Sequence, residues 1–209
     1  MNGGVTVYRT RIRWGRVAGL LVVVAAVVWT VGFSKSLESS FSTATSPIHV
    51  PHREHSGALG EAGGAVPAGT TVFDNEVPGV AKLDPALLRA LRQAATAAAG
   101  DGVRFVVNSG WRSAAYEDQL RREAVAKYGS EQEAAKWVAT GTTSPHVSGK
   151  AVDLGPSAAT SWLSAHGAAY GLCQIYGNEP WHYELRPQAV DQGCPAMYAD
   201  PTQDPRMQR

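Results

Sequence analysis

The chain opens on a block of apolar residues rather than on a period. Residues 17–34 read VAGLLVVVAAVVWTVGFS, with no charge between Arg16 and Lys35. Such a run reaches the roughly 17–25 residues that a membrane-spanning helix needs. From residue 34 to residue 71 the pattern dissolves into Ser, Thr, Gly, Ala, Pro and His without apolar spacing, the composition of a flexible tether. Helical spacing begins at Asp84-Pro85, a capping residue followed by proline at the first helical position. Leu87, Leu88, Leu91 and Ala94 follow, and the helix is predicted to stop at Gly100. Residues 103–107 are a short β-branched run and read as a buried strand. Further helices are predicted over 113–128 and from Ser130, with Glu133 in the capping-box position. Strands are predicted over 151–154, 172–176 and 181–185, and a helix over 161–170 that Gly171 ends. The tail after Cys194 holds three prolines and little apolar content, so it is expected to be loosely ordered. Helices and strands follow in uneven order without βαβ repetition. This favours an α+β fold with a small mixed or antiparallel sheet flanked by helices.

Charge refines the picture at the N-terminus. Arg9, Arg11, Arg13 and Arg16 precede the apolar block and only Lys35 closely follows it. By the positive-inside bias residues 1–16 are cytoplasmic, 17–33 form a single transmembrane anchor, and the rest is exported. A cleaved signal peptide is the competing reading. Its apolar core is usually about 7–15 residues, and Ser42-Thr43-Ala44 lies well past the end of this one. The expected organisation is then a linker over 34–71, a folded domain over 72–195 and a tail over 196–209. With 19 Lys+Arg against 18 Asp+Glu there is no basic signature, which argues against nucleic acid as partner. Two cysteines cannot make a four-cysteine metal site. Both lie beyond the anchor, where oxidation is allowed, so a Cys173–Cys194 disulfide is expected. His49, His52 and His55 recur every third residue in the linker, without helical pattern or acidic partners, and read as ordinary linker composition.

Three segments carry candidate chemistry. Ser144-Pro-His146-Val-Ser-Gly149-Lys-Ala151-Val-Asp153 places an imidazole and a carboxylate on either side of a glycine turn, where a loop residue and a strand residue can converge. In Glu179-Pro-Trp181-His182-Tyr183-Glu184, strand alternation puts His182 and Glu184 on one face and Trp181 and Tyr183 on the other, toward the core. His146, Asp153 and His182 would supply two imidazoles and one carboxylate, leaving a fourth position open as catalytic zinc requires. His166, on a predicted helix, reads as structural or exposed. Ser109-Gly-Trp111-Arg112-Ser113 puts an arginine at a strand-to-helix junction, from which it can reach an anionic intermediate. The residues alone leave Glu179 and Glu184 equally eligible as general base.

SGWRS, SxHxxGxAxD and EPWHYE, in this order and at about these distances, resemble the D-alanyl-D-alanine carboxypeptidase family of zinc peptidases, which includes the vancomycin-resistance carboxypeptidases and dipeptidases. The resemblance implies a zinc D,D-peptidase (hedgehog-like) fold and zinc bound by His146, Asp153 and His182. It also implies Glu179 as general base and Arg112 as the residue facing the oxyanion. The family more often reads Ser-Glu-His-Gln-Thr-Gly where this chain has Pro145, Val147 and Ser148, which bears on substrate detail. The implied substrate is a peptidoglycan stem peptide, cut at its terminal D-Ala-D-Ala bond outside the membrane. A carboxypeptidase must also hold a free carboxylate. Ser144, inside the motif, is the first candidate for that role, ahead of Ser148 and of Lys150, which reads as a solvated charge. The alternatives are an endopeptidase of stem peptides or cross-bridges, and a non-catalytic zinc-bearing cell-wall module of the same fold.

Overall fold

The computed structural model describes residues 59–208. The expected anchor, the linker up to residue 58 and its three histidines lie outside them. Among the described residues no helix is long and apolar enough to cross a membrane.

Four antiparallel strands, β1 (Val106–Ser109), β2 (Ala151–Gly155), β3 (Leu172–Gln174) and β4 (His182–Leu185), form one sheet in the order β1-β2-β4-β3. The described residues also form six α-helices: α1 (Pro78–Ala81), α2 (Pro85–Gly100), α3 (Ala114–Tyr128), α4 (Glu131–Ala135), α5 (Ser157–His166) and α6 (Ala189–Gln192), of which α2 and α5 pack on the sheet. The expected α+β architecture is present, with a sheet that is antiparallel throughout.

Three helices begin at the residues whose side chains can cap them. Asp84 accepts from the Ala86 and Leu87 amides, Ser113 from that of Tyr116 and Ser130 from that of Glu133. The Leu87, Leu91, Ala94 and Ala98 stripe of α2 lies against Val107, Val152, Leu154 and Tyr183 of the sheet and Trp162 and Leu163 of α5. Burying such side chains stabilises by about 1.5–3 kcal/mol each for the larger ones. Because strand side chains alternate, this face of the sheet is the core, and Asp153, His182 and Glu184 project from the opposite face.

Several boundaries differ from the sequence reading. Residues 103–105 stay outside the ladder, and β1 instead takes in Asn108 and Ser109, because Ser109 pairs with Asp153 across a register irregularity. Helix α5 starts four residues earlier than expected, directly after Pro156. Strand β3 ends at Gln174 and β4 starts at His182. Residues 59–71, linker by composition, pack on the domain: Thr70 is buried and its carbonyl accepts from the Val107 amide at 2.8 Å. The tail is also structured, with 3-10 turns at Pro201–Gln203 and Pro205–Gln208. The expected disulfide joins Cys173 to Cys194. Closing a loop of that length stabilises by roughly 3 kcal/mol on the chain-entropy account.

Candidate metal and catalytic site

Asp153 and His182 are register partners across β2 and β4, so the sheet itself sets two of the three expected ligands side by side. The third arrives on the loop before β2. Gly149 sits at φ +68°, and a Cβ there would lie 2.6 Å from the Lys82 carbonyl oxygen, so only glycine lets the loop close onto the α1–α2 connection. The Asp84 amide donates to the Gly149 carbonyl at 2.8 Å and fastens it. Gly110 has a parallel role, since a Cβ on it would meet the Gly79 carbonyl oxygen at 2.0 Å. Its own carbonyl accepts a hydrogen bond from His146 Nδ1 at 2.8 Å.

Protonation at the outer nitrogens determines what faces inward. His146 Nδ1–H donates to Gly110, which leaves a lone pair on Nε2. His182 Nε2 lies 3.3 Å from Glu184 Oε1, a carboxylate that holds one proton there, so the neutral imidazole carries its lone pair on Nδ1. Asp153 Oδ1 is the third group. His146 Nε2 is 3.3 Å from His182 Nδ1 and 3.4 Å from Asp153 Oδ1, and the last two atoms are 3.3 Å apart. Ligands at about 2.0–2.1 Å from a tetrahedral ion are spaced about 3.3–3.4 Å from one another. All three residues are buried. Three lone pairs converging at that spacing fit a cation.

The carboxylates around the centre favour positive charge. Burial pulls the His182 imidazole down, but its hydrogen bonds to the Asp153 and Glu184 carboxylates outweigh this and carry the pKa up to about 9. Burial likewise pushes Asp153 up and is overcome by His146, His182 and Arg112, which hold it well below the usual carboxylate range. Glu179 differs. Burial dominates and lifts it to about 7, with its Oε2 3.7 Å from His182 Nδ1.

Arg112 is committed on three sides. Its Nε donates to Ser109 Oγ at 2.7 Å, one terminal nitrogen to Glu117 Oε2 at 2.9 Å and the other to Asp153 Oδ2 at 2.9 Å. One N–H on each terminal nitrogen is left for another acceptor. Burial lowers its pKa, but the charges of Asp153 and Glu117 more than reverse this. Ser144 is buried, and its Oγ accepts from the His146 amide at 3.2 Å, bracing the loop that carries the histidine.

All six expected residues line one cavity of about 440 Å³. Trp181 departs from expectation: it precedes β4, stays 38% exposed and lines this cavity instead of entering the core, whereas Tyr183 is buried as predicted. Glu184 is withdrawn from the cleft, buried and ion-paired to Arg186 and Arg206. His166 and Lys150 are exposed. Two participants are absent from the sequence reading. Glu117 was legible, since it shares the 117, 120, 124 stripe that α3 turns inward. Arg206 was not, because nothing in its proline-rich surroundings points at the site.

The chain is similar to known proteins. The D-alanyl-D-alanine carboxypeptidase (VanY) family profile matches residues 80–188. A D-alanyl-D-alanine carboxypeptidase of Enterococcus faecalis is 32% identical over 112 residues, covering 42% of this chain and 42% of its own. The chain thus spans less than half the length of that curated relative. Among solved structures, a mutant of the vancomycin-resistance D,D-pentapeptidase VanY from the VanB-type resistance cassette, in complex with Zn(II), is similar at 26% identity. The TM-score is 0.51, and the match covers 56% of this chain and 80% of that one.

Proposed function

This chain belongs to the D-alanyl-D-alanine carboxypeptidase family, and on that footing we propose that it is a zinc-dependent hydrolase of peptidoglycan stem peptides. It removes the terminal D-Ala from a D-Ala-D-Ala end. The observation that carries the reading is the convergence of His146 Nε2, Asp153 Oδ1 and His182 Nδ1 at 3.3–3.4 Å, each with its lone pair inward.

When bound there, zinc supplies a Lewis acid and lowers the pKa of water to roughly 7. Glu179, with its pKa near 7, takes the proton of the attacking water and returns it to the leaving amine. Arg112 turns its two remaining N–H groups to the oxyanion, while its contact to Asp153 Oδ2 keeps Oδ1 aimed at the centre. Ser144 accepts from a backbone amide and keeps its own hydroxyl proton to offer the substrate's terminal carboxylate. The presence of both Glu179 and Arg112 at the cleft disfavours a non-catalytic wall-binding module.

The peptidoglycan lies outside the cytoplasmic membrane, and the uncharged 17–33 segment behind four arginines supports a single-pass anchor that holds the domain there. The Cys173–Cys194 disulfide is consistent with an oxidising compartment. An endopeptidase is the second reading, favoured by one observation: Arg112 is already bound to three acceptors, and the other cation lining the cavity, Lys127, is exposed. Incubating the zinc-loaded full-length chain with a pentapeptide stem and with cross-linked stem dimers, followed by mass spectrometry, separates the two. Loss of one D-Ala from the free pentapeptide is expected. Cleavage confined to the dimers would establish the endopeptidase, and no cleavage of either would reject the proposal.

A further inference from the structure

The family match ends at residue 188, yet the chain returns to the site well beyond it. After the disulfide the tail runs alongside the segment that follows β3. The Tyr198 amide donates to the Ile175 carbonyl at 3.0 Å, and the Gly177 amide donates to the Tyr198 carbonyl at 2.8 Å. Asp200 caps the Pro201–Gln203 turn by accepting from the Thr202 amide at 2.8 Å. Pro201 and Met207 then stand in the wall of the catalytic cavity.

Between them Asp204 is wholly buried. It accepts from the Tyr176 hydroxyl at 3.0 Å and from Nε of Arg206 at 2.9 Å, so that the guanidinium is held in one orientation. The two terminal nitrogens of Arg206 reach the two oxygens of Glu184 at 2.7 and 3.0 Å, a bidentate fork on a carboxylate that is 1% exposed. Glu184 Oε1 is the atom facing His182 Nε2 at 3.3 Å. Tyr176, anchored through the same Asp204, lays its ring on the His182 imidazole at 5.0 Å between centroids. Both contacts that orient His182 from its outer side therefore end on two residues of the tail.

We infer that Arg206 is a positioning residue of the metal site, holding Glu184 so that His182 keeps its proton on Nε2 and turns Nδ1 to the ligand centre. The inference rests on the reading of His146, Asp153 and His182 as zinc ligands. A planar guanidinium grips both oxygens of a carboxylate and fixes its plane as well as its charge. Outer partners of metal-bound histidines typically contribute 10–100-fold to metal affinity. Arg186 provides an internal comparison, because its ion pair with the same carboxylate runs to Oε2, at 2.9 Å, and not to the oxygen that faces His182. It supplies charge without bracing Oε1.

The test is zinc affinity, read by competition with a chromogenic chelator on the full-length chain, with thermal unfolding recorded in parallel. Arg206→Met is expected to weaken zinc binding about 10-fold or more. Arg206→Lys keeps the charge but not the fork and should fall between, at least about threefold weaker than wild type. Arg186→Ala should change affinity less than about threefold. Should Arg206→Met fail to fold, Arg206→Lys decides alone: wild-type affinity in that folded variant overturns the inference. Zinc binding by Arg206→Met within about twofold of wild type, or an equal loss in Arg186→Ala, overturns it as well. A wild-type chain that binds no zinc would remove the zinc reading and this inference with it. Tight wild-type binding with unaffected Arg206 variants removes this inference only.

Discussion

Asp153 and His182 stand opposite each other in the β2–β4 ladder, with Oδ1 and Nδ1 3.3 Å apart. A ligand pair fixed by backbone register is rigid in a way a loop pair is not, and only His146 depends on a loop. Removing His182 should abolish zinc binding together with hydrolysis. Glu179→Gln should leave the metal in place and slow turnover by about 10²–10⁴-fold, the usual contribution of a general base. Metal analysis alongside stem-peptide hydrolysis distinguishes the two variants. If Glu184→Gln gave the zinc-replete, inactive phenotype and Glu179→Gln did not, the base would have to be reassigned.

The pH profile follows from the same residues. The proposed base, Glu179, must be ionised to act, and burial has raised its pKa to about 7. Activity must therefore fall as pH drops through that value. A cation bound beside it favours the carboxylate, so in the zinc-loaded protein the acid limb of kcat/KM is expected at or below about pH 7. Acid also weakens zinc binding, because protons compete for the histidine lone pairs. A rate that climbs as pH falls from about 7 to about 5 would eliminate Glu179 as the base.

Much of this was legible where a local rule decides the outcome. Asp84, Ser113 and Ser130 cap helices whatever surrounds them, and the alternation along β4 correctly opposes Tyr183 to His182 and Glu184. Tertiary pairing decides the rest. Asn108 and Ser109 have little strand preference, yet they join the sheet because Asp153 lies across from Ser109, whereas the β-branched start of that run finds no ladder partner. Strand alternation sends Trp181 to the core, but the strand begins one residue after it, so the ring turns to the cleft. The proline-rich sequence of the tail shows no apolar periodicity and says nothing about where Arg206 goes. Only the three-dimensional path brings it to Glu184.

Arg112 and Glu117 supply a stability test independent of turnover. The pair is inside the protein, with side chains 13% and 1% exposed and 2.9 Å between charged atoms. Arg112→Ala strands both the Glu117 and the Asp153 carboxylates, and breaking a buried pair in this way costs about 3–5 kcal/mol. The double variant Arg112→Met with Glu117→Gln should recover the Glu117 part of the loss seen in Arg112→Met alone, because no unpaired charge is left at position 117, while Asp153 stays without its arginine. Denaturant unfolding of the single and double variants measures the coupling. Simple additivity would mean that the contact carries no coupling.

Selection of a free C-terminus is the property that separates a carboxypeptidase from an endopeptidase. Recognition of a carboxylate needs donors beyond the scissile bond, and Arg112 commits three of its N–H groups to Ser109, Glu117 and Asp153. Ser144 can provide one, because it is buried, lines the cavity and uses its oxygen, not its hydroxyl proton, to brace His146. Amidating the C-terminus of a pentapeptide stem removes the charge and one of the two acceptor oxygens, so that hydroxyl faces a neutral carbonyl or an N–H group instead of a carboxylate, at a cost of about 1–3 kcal/mol. The amidated peptide should therefore be cleaved roughly 5- to 150-fold more slowly than the free acid. In Ser144→Ala the ratio should shrink mainly through a slower reaction of the free acid, with the amide little changed beyond any loss from the His146 loop. Comparing kcat/KM for both peptides in both proteins gives four values and one ratio of ratios. Equal rates on the two peptides in the wild-type chain would place the specificity inside the stem and make the endopeptidase the better description.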